Sequence, residues 1–190
     1  VDTLTERARL LGAANMVRRA VDGSLHGDMV DGLGFTAALA RHAVDARGAC
    51  VAIFGGGAVG RALLLALAEA GAAAIMVHEP EPAREDDFRR FVDAAGLAHL
   101  TTMDAAAGYA EASLVVNASP CGMRPEDPLP FDPRRLRKGA HVADVVTEPA
   151  ETPVVELARA LGHSAQTGRE MAEAQMDIQL RYFNLAEPAA

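Results

Sequence analysis

Residues that could do chemistry fall into two groups. In "CVAIFGGGAVGRALLLALAEAG", Cys50 to Gly71, an apolar run passes through glycines into a segment rich in Ala and Leu. Read as G-x-G-x-x-G, the glycines are Gly55, Gly57 and Gly60. The first suits a tight turn, the second lets backbone approach a pyrophosphate, and the third lets a helix pack closely on its strand. Ala58 and Val59, between these glycines, are likewise expected at the cofactor, where the N-terminus of the following helix attracts negative charge. Further on, "VHEPEPAR" puts Glu79 where an acidic residue accepts hydrogen bonds from the ribose diol of NAD. Glu81 follows and Arg84 is the nearest cation. Two carboxylates would repel the 2′-phosphate of NADP, so NAD is expected over NADP. A plain solvated loop is the other reading of these glutamates.

The second group is Asn15, Asp31 and Gln175. Oxidising a secondary alcohol by hydride loss needs a group to take the hydroxyl proton, and a carboxylate such as Asp31 can do so. Asp31 would equally serve as the N-cap of a helix in "GLGFTAALARH". Asn15 suits either a ligand contact or a turn or C-cap position just after an N-terminal helix. Gln175 shares a helical face with Met171, Ile178, Tyr182 and Leu185. A neutral amide on an apolar stripe must find hydrogen bonds, from a hydroxylated ligand or from nearby backbone. The histidines have neither metal nor nucleophile spacing and receive no role. Cys50 and Cys121 stand alone, so no metal site is expected.

The elements that must position these residues alternate between strand and helix. Strands are expected at Val51 to Phe54, Ala74 to Val77, Ala98 to Thr101, Ser113 to Val116 and His141 to Val146. Helices are expected at Arg61 to Ala70, Arg84 to Ala95, Asp104 to Glu111, Thr152 to Leu161 and Gly168 to Leu185. Thr152 reads as an N-cap, with Pro153 in the first turn and Gly162 as the stop. This alternation predicts an α/β, Rossmann-type, doubly wound parallel sheet of about six strands, from roughly Gly32 to Gln166.

Composition narrows the classes of function. The 190 residues are 50% apolar and 23% charged with a net charge of −8, the balance of a globular protein. The basic run Arg134, Arg135, Arg137 and Lys138 is short, so nucleic acid is not an expected partner. The apolar run Ala62 to Ala68 is too short for a membrane span, and the N-terminus lacks a signal pattern. A cytoplasmic location is expected.

Five segments, "GAANMVRR", "GDMVDGLGF", "NASPCGM", "ADVVTEPAETPVV" and "TGREMAEAQ", occur in that order along the chain, with the glycine loop between the second and third. Together they resemble the shikimate/quinate dehydrogenase family over nearly the whole length. The resemblance implies hydride transfer between a nicotinamide cofactor and a ring carbon of a cyclic polyhydroxy acid. It implies that Asn15 and Gln175 bind this small-molecule substrate and that Asp31 is half of a Lys/Asp catalytic pair. It further implies that Asn117, Ala118, Gly168 and Met171 lie at the cofactor near the nicotinamide.

Departures from the family pattern are as informative. Met29 and Val30 stand where the family usually has Asn-Thr before the Asp. Thr147 replaces a Tyr that would meet the substrate carboxylate, and His78, Glu79 and Pro80 replace an NADP-type Asn-Arg-Thr. No Lys precedes Lys138. The expected division is therefore residues 1–31 as the remnant of a second, substrate domain, 32–166 as the dinucleotide-binding domain, and 167–190 as a helix that packs back on the substrate domain. Such a chain alone is expected to lack turnover, and a catalytically incomplete nucleotide-binding or partner-binding module is the alternative. Apolar residues such as Leu10, Leu11, Ile178 and Tyr182 would be exposed, which favours association, for instance as a homodimer.

Overall fold

The computed structural model describes residues 1–183 and 185, and the chain builds two sheets. The first contains β1 (Thr3–Leu4), β2 (Met16–Arg19) and β3 (Leu25–Asp28), with α1 (Glu6–Leu11) between the first two. β3 is central, parallel to β1 and antiparallel to β2. Thr5 caps α1 by accepting from the Ala8 N–H, and Gly12, at φ 64°, ends it. Arg7 clamps this unit through Asp28, at 2.9 Å from Nε to Oδ1 and 2.5 Å from Nη2 to Oδ2. Leu11, expected to be exposed, is only 6% accessible because α1 lays it on the main core; Leu10 stays exposed. Burying such a leucine contributes about 2 kcal/mol.

After α2 (Asp31–Arg41) the second sheet begins. It runs β4 (Cys50–Phe54), α3 (Ala58–Glu69), β5 (Ala74–His78), α4 (Pro82–Ala94), β6 (Thr101–Thr102), α5 (Ala105–Gly108), β7 (Leu114–Asn117), β8 (His141–Asp144), α6 (Pro153–Ala160), β9 (Ser164–Gln166) and α7 (Gly168–Tyr182). The six strands are all parallel, in the order β6-β5-β4-β7-β8-β9. This is the doubly wound order in which the chain reverses direction between β4 and β7. The expected third strand shrinks to Thr101–Thr102, because residues 98–100 form a turn. The sixth strand, β9, is too short and polar to stand out in the sequence.

The core follows the two-residue period of the strands. Val51, Ile53, Leu114, Val116 and Ala143 face one side, with Phe35, Leu39, Leu63, Leu67 and Met171 from α2, α3 and α7. Ala52, Phe54, Val115 and Val142 face the other, with Tyr109, Phe131, Val154, Val155 and Ala158. Helices therefore cover both faces, which is why the strands read as continuous apolar runs. Thr167 and Glu170 form a reciprocal capping box that starts α7. The small sheet is tied to this helix by Tyr182, whose hydroxyl donates to the His26 carbonyl. No helix among the described residues is long and apolar enough to cross a membrane.

Candidate functional site

The loops after β4 and β7 meet at the switch point of the sheet, where ligands of such folds bind. Gly55 has φ 117°, and a Cβ there would lie 2.5 Å from the Ala118 carbonyl oxygen. Gly60 is equally constrained, since its Cβ would fall 2.0 Å from the Gly55 carbonyl oxygen. Gly57 differs. A Cβ there would meet nothing within 4 Å, so no protein packing requires glycine at that position. Gly57 is also the N-cap of α3, contributes no side-chain cap, and no acidic residue follows in the first turn. The N–H groups of Ala58, Val59 and Gly60 begin a twelve-residue helix with its positive end toward the crevice.

Glu79 closes this loop from β5. It is 6% accessible, accepts from the Gly56 N–H at 2.9 Å and the Glu81 N–H at 3.1 Å, and lies 3.5 Å from Arg84 Nε. The solvated-loop reading therefore fails for Glu79. Glu81 is exposed and pairs with Arg84 at 2.6 Å.

On the other side of the switch point, Asn117 is fully buried and all four of its amide hydrogen-bonding positions are used. Nδ2 donates to the Cys121 carbonyl and Asp144 Oδ1; Oδ1 accepts from the Ser119 N–H and hydroxyl. Its side chain shapes the "NASPCGM" turn and has no amide position left for a ligand.

Asp144, which sequence reasoning passed over inside an apolar strand, anchors this turn. It is wholly buried and accepts from Asn117, from the Val146 N–H at 2.9 Å and from the Thr152 hydroxyl at 2.5 Å. Burial pushes its carboxyl above the ordinary carboxylate range, against the pull of these donors. Thr152 sits at the N-cap of α6 but gives its hydroxyl to Asp144, so the expected side-chain cap is not made. A carboxylate in "ADVVTEP", beside residues that must turn sharply, was the available signal.

The polar trio assembles on one carboxylate. Asn15 Nδ2 and Gln175 Nε2 both donate to Asp31 Oδ1, at 2.7 and 3.2 Å, across 16 and 144 residues of sequence. Asn15 Oδ1 also accepts from the Val30 N–H. Asp31 is the first residue of α2, with Val30 as an N-cap that makes no side-chain bond, so the N-cap reading of Asp31 falls. The C-cap reading of Asn15 falls as well, because Gly12 occupies that position. No described residue donates to Asp31 Oδ2. Burial raises the Asp31 pKa, opposed by the hydrogen bonds from Gln175 and Asn15.

Two glycines of "VDGLGF" make this contact feasible. A Cβ on Gly34 would lie 2.1 Å from Gln175 Cγ, and one on Gly32 would lie 2.5 Å from the Ala62 carbonyl oxygen. They let α2 approach α7 and α3 closely. Gly168 does the same at the other end of α7, where its Cβ would come within 2.3 Å of the Val146 carbonyl oxygen, and Met171 is buried in the core. The seven helical rises from Gly168 to Gln175 span about 10 Å, so α7 links the end of β8 to the Asp31 carboxylate. Thr147 is exposed after β8 and bonds to no member of the trio among the described residues.

A second titratable cluster lies where α2, β8 and α7 meet. His42 Nε2 contacts Glu170 Oε1 at 3.0 Å, and its ring centroid is 5.4 Å from that of His141. His141 bonds Ser164 through Nδ1 while its Nε2 is buried without a partner. Burial and the neighbouring His42 hold its pKa down to about 4.

The chain is similar in sequence and fold to known proteins. A quinate/shikimate dehydrogenase (NAD(+)) of Corynebacterium efficiens is 34% identical over 192 residues, covering 99% of this chain and 68% of that protein. The chain belongs to the shikimate/quinate dehydrogenase family. Another member, a shikimate dehydrogenase (NADP(+)) of Rubrobacter xylanophilus, is 36% identical over 176 residues, 90% of this chain and 61% of that protein. The solved quinate dehydrogenase of Corynebacterium glutamicum in complex with NAD superposes with a TM-score of 0.87 at 32% identity, over 100% of this chain and 68% of that one. A scan against models of protein families gives no match. The chain spans about three fifths of the length of the Rubrobacter family member.

Proposed function

We propose that this family member carries the dinucleotide-binding domain of an oxidoreductase that moves a hydride between NAD(P) and a ring carbon of a cyclic polyhydroxy acid. The observation that carries the reading is the Asp31 carboxylate, held through one oxygen by Asn15 and Gln175, with no donor on the other oxygen among the described residues. A dinucleotide fits the glycine loop on a feature of the chain itself: Gly57 opens on empty space while Gly55 and Gly60 are packed against backbone. The uncapped N–H groups from Ala58 to Gly60 would hold the pyrophosphate. When bound, the nicotinamide supplies the position that takes up or gives back the hydride.

Asp31 Oδ2 takes the substrate hydroxyl proton as the carbon loses its hydride, and returns it in the reverse direction. A carboxyl raised by burial is better matched to this task near neutral pH than an ordinary aspartate. Asn15 and Gln175, besides orienting Asp31, offer amide groups to the substrate hydroxyls, and Thr147 a short hydroxyl to its carboxylate. Residues 1–31 and α7 would form the substrate side and 32–166 the cofactor side, with Gly168 and Met171 backing the nicotinamide pocket and Asn117 and Ala118 shaping it. We infer NAD in preference to NADP, because Glu79 fills the turn that a 2′-phosphate would need and Arg84 is already shared with Glu81. Family members are named for either cofactor.

The test is Asp31→Asn in a preparation that turns over a shikimate- or quinate-like acid. Turnover should fall at least a hundredfold, the range of a general base, while dinucleotide affinity is unchanged. Full activity in this variant would overturn the role of Asp31.

A further inference from the structure

Gln179 lies one turn beyond Gln175 on α7 and is half-buried. Its Nε2 donates to Gln175 Oε1 at 3.3 Å, and Gln175 Nε2 in turn donates to Asp31 Oδ1 at 3.2 Å. We propose that Gln179 is a positioning residue: it holds the Gln175 amide with the nitrogen toward Asp31, keeping Oδ1 engaged and leaving Oδ2 as the oxygen that exchanges the proton. The proposal rests on the reading of Asp31 as proton acceptor.

The reasoning concerns the two ends of an amide. Facing a carboxylate, a glutamine presents its nitrogen; facing the protonated acid, it can turn and accept through its oxygen. Close contact with Gly34 confines the Gln175 stem on α2, so the terminal amide torsion is the freedom left to settle. A donor behind Oε1 settles it nitrogen-forward, which favours the ionised form of Asp31. The side chains that act on this carboxyl from the packed elements are Asn15 and Gln175, both neutral. Among the described residues no charged side chain bonds to this carboxyl.

The measurement is a carbon-13 NMR titration of the Asp31 carboxyl in the chain, with the Gln175 side-chain amide protons followed in parallel. Gln179→Met nearly preserves volume and helix propensity but removes the donor. In a variant folded by circular dichroism, the Asp31 protonation constant should shift about threefold toward the acid form, the worth of one neutral hydrogen bond. The Gln175 amide protons should exchange faster with water. Gln179→Glu, which can only accept, should draw the Gln175 nitrogen away from Asp31; its added charge raises the Asp31 constant by itself, so there the faster exchange of the Gln175 amide protons carries the decision if the Met variant does not fold. An unmoved Asp31 titration in a folded variant would reduce Gln179 to packing and overturn the proposal. Because the readout is independent of turnover, it separates from the Asp31 assignment: an active Asp31→Asn enzyme would remove the catalytic reading and leave the coupling measurable.

Discussion

The glycine loop and the α2–α7 seam are built from opposite materials. The loop is made of backbone: Gly55 and Gly60 bring chains into contact that no side chain would allow, and Gly57 leaves a surface open. The seam is made of titratable and amide side chains: Asn15, Asp31 and Gln175, with His42, His141 and Glu170 at its far end. A backbone site is indifferent to pH and intolerant of bulk. A side-chain site responds to protons.

The sharpest way to break this contrast is to add bulk to the loop. Gly60→Val puts a Cβ 2.0 Å from a carbonyl oxygen that cannot move cheaply. We expect a loss of about 3 kcal/mol or more in urea unfolding, at the top of the range for overpacking. Little change would mean that the loop relaxes and is not the rigid element described above.

Next in size is the proton response of the seam. His141 is buried neutral with its pKa lowered from 6.5 to about 4. The unfolded chain therefore binds more protons than the folded one between these values. The stabilisation is complete above pH 6.5 and is lost as pH falls through this window, by about 3 kcal/mol. His141→Gln should flatten this part of the stability profile measured by denaturant unfolding from pH 7 to 4. Asp31 and Asp144, whose folded pKa values are raised, act in the opposite sense: they favour the folded state as pH falls toward the ordinary carboxylate range. An equally steep profile in the variant would move the acid response elsewhere.

Two smaller effects sharpen the comparison at the loop itself. Gly57→Val should cost far less stability than Gly60→Val, because a Cβ there meets no atom within 4 Å, yet weaken dinucleotide binding tenfold or more, as measured by calorimetric titration. Unaltered affinity would show that the open face of Gly57 is not where the pyrophosphate lies. Glu79→Arg should change the ratio of NAD to NADP affinity toward NADP by about 1–3 kcal/mol, the worth of a charge-assisted hydrogen bond. If the wild type binds NADP as tightly as NAD, the preference inferred from Glu79 fails.

Much of this was legible before the coordinates. The parallel strands, the glycine loop and the alternation of helices follow from local periodicity and turn chemistry, which act over a few residues and so leave their mark in short stretches. The same is true of Glu79, at a fixed offset from the loop. Asp31, Asn15 and Gln175 could be singled out by type and by resemblance, but each kept a local alternative as a cap or a backbone partner. Those alternatives were decided only when residues 16 and 144 positions apart met on one oxygen.

Other features left almost no local mark. Asp144 read as part of an apolar strand, Thr152 as a helix cap, Leu11 as an exposed residue and Gln166 as the end of a domain. Burial, which alone decides the state of a carboxylate or an imidazole, is a property of what packs from elsewhere in the chain. The sequence by itself determined which segments become strands and helices and where a phosphate could approach backbone, because those depend on bonded neighbours. The tertiary structure decided which side chains share a hydrogen bond and which groups are driven from water, because those depend on distances that no spacing along the chain encodes.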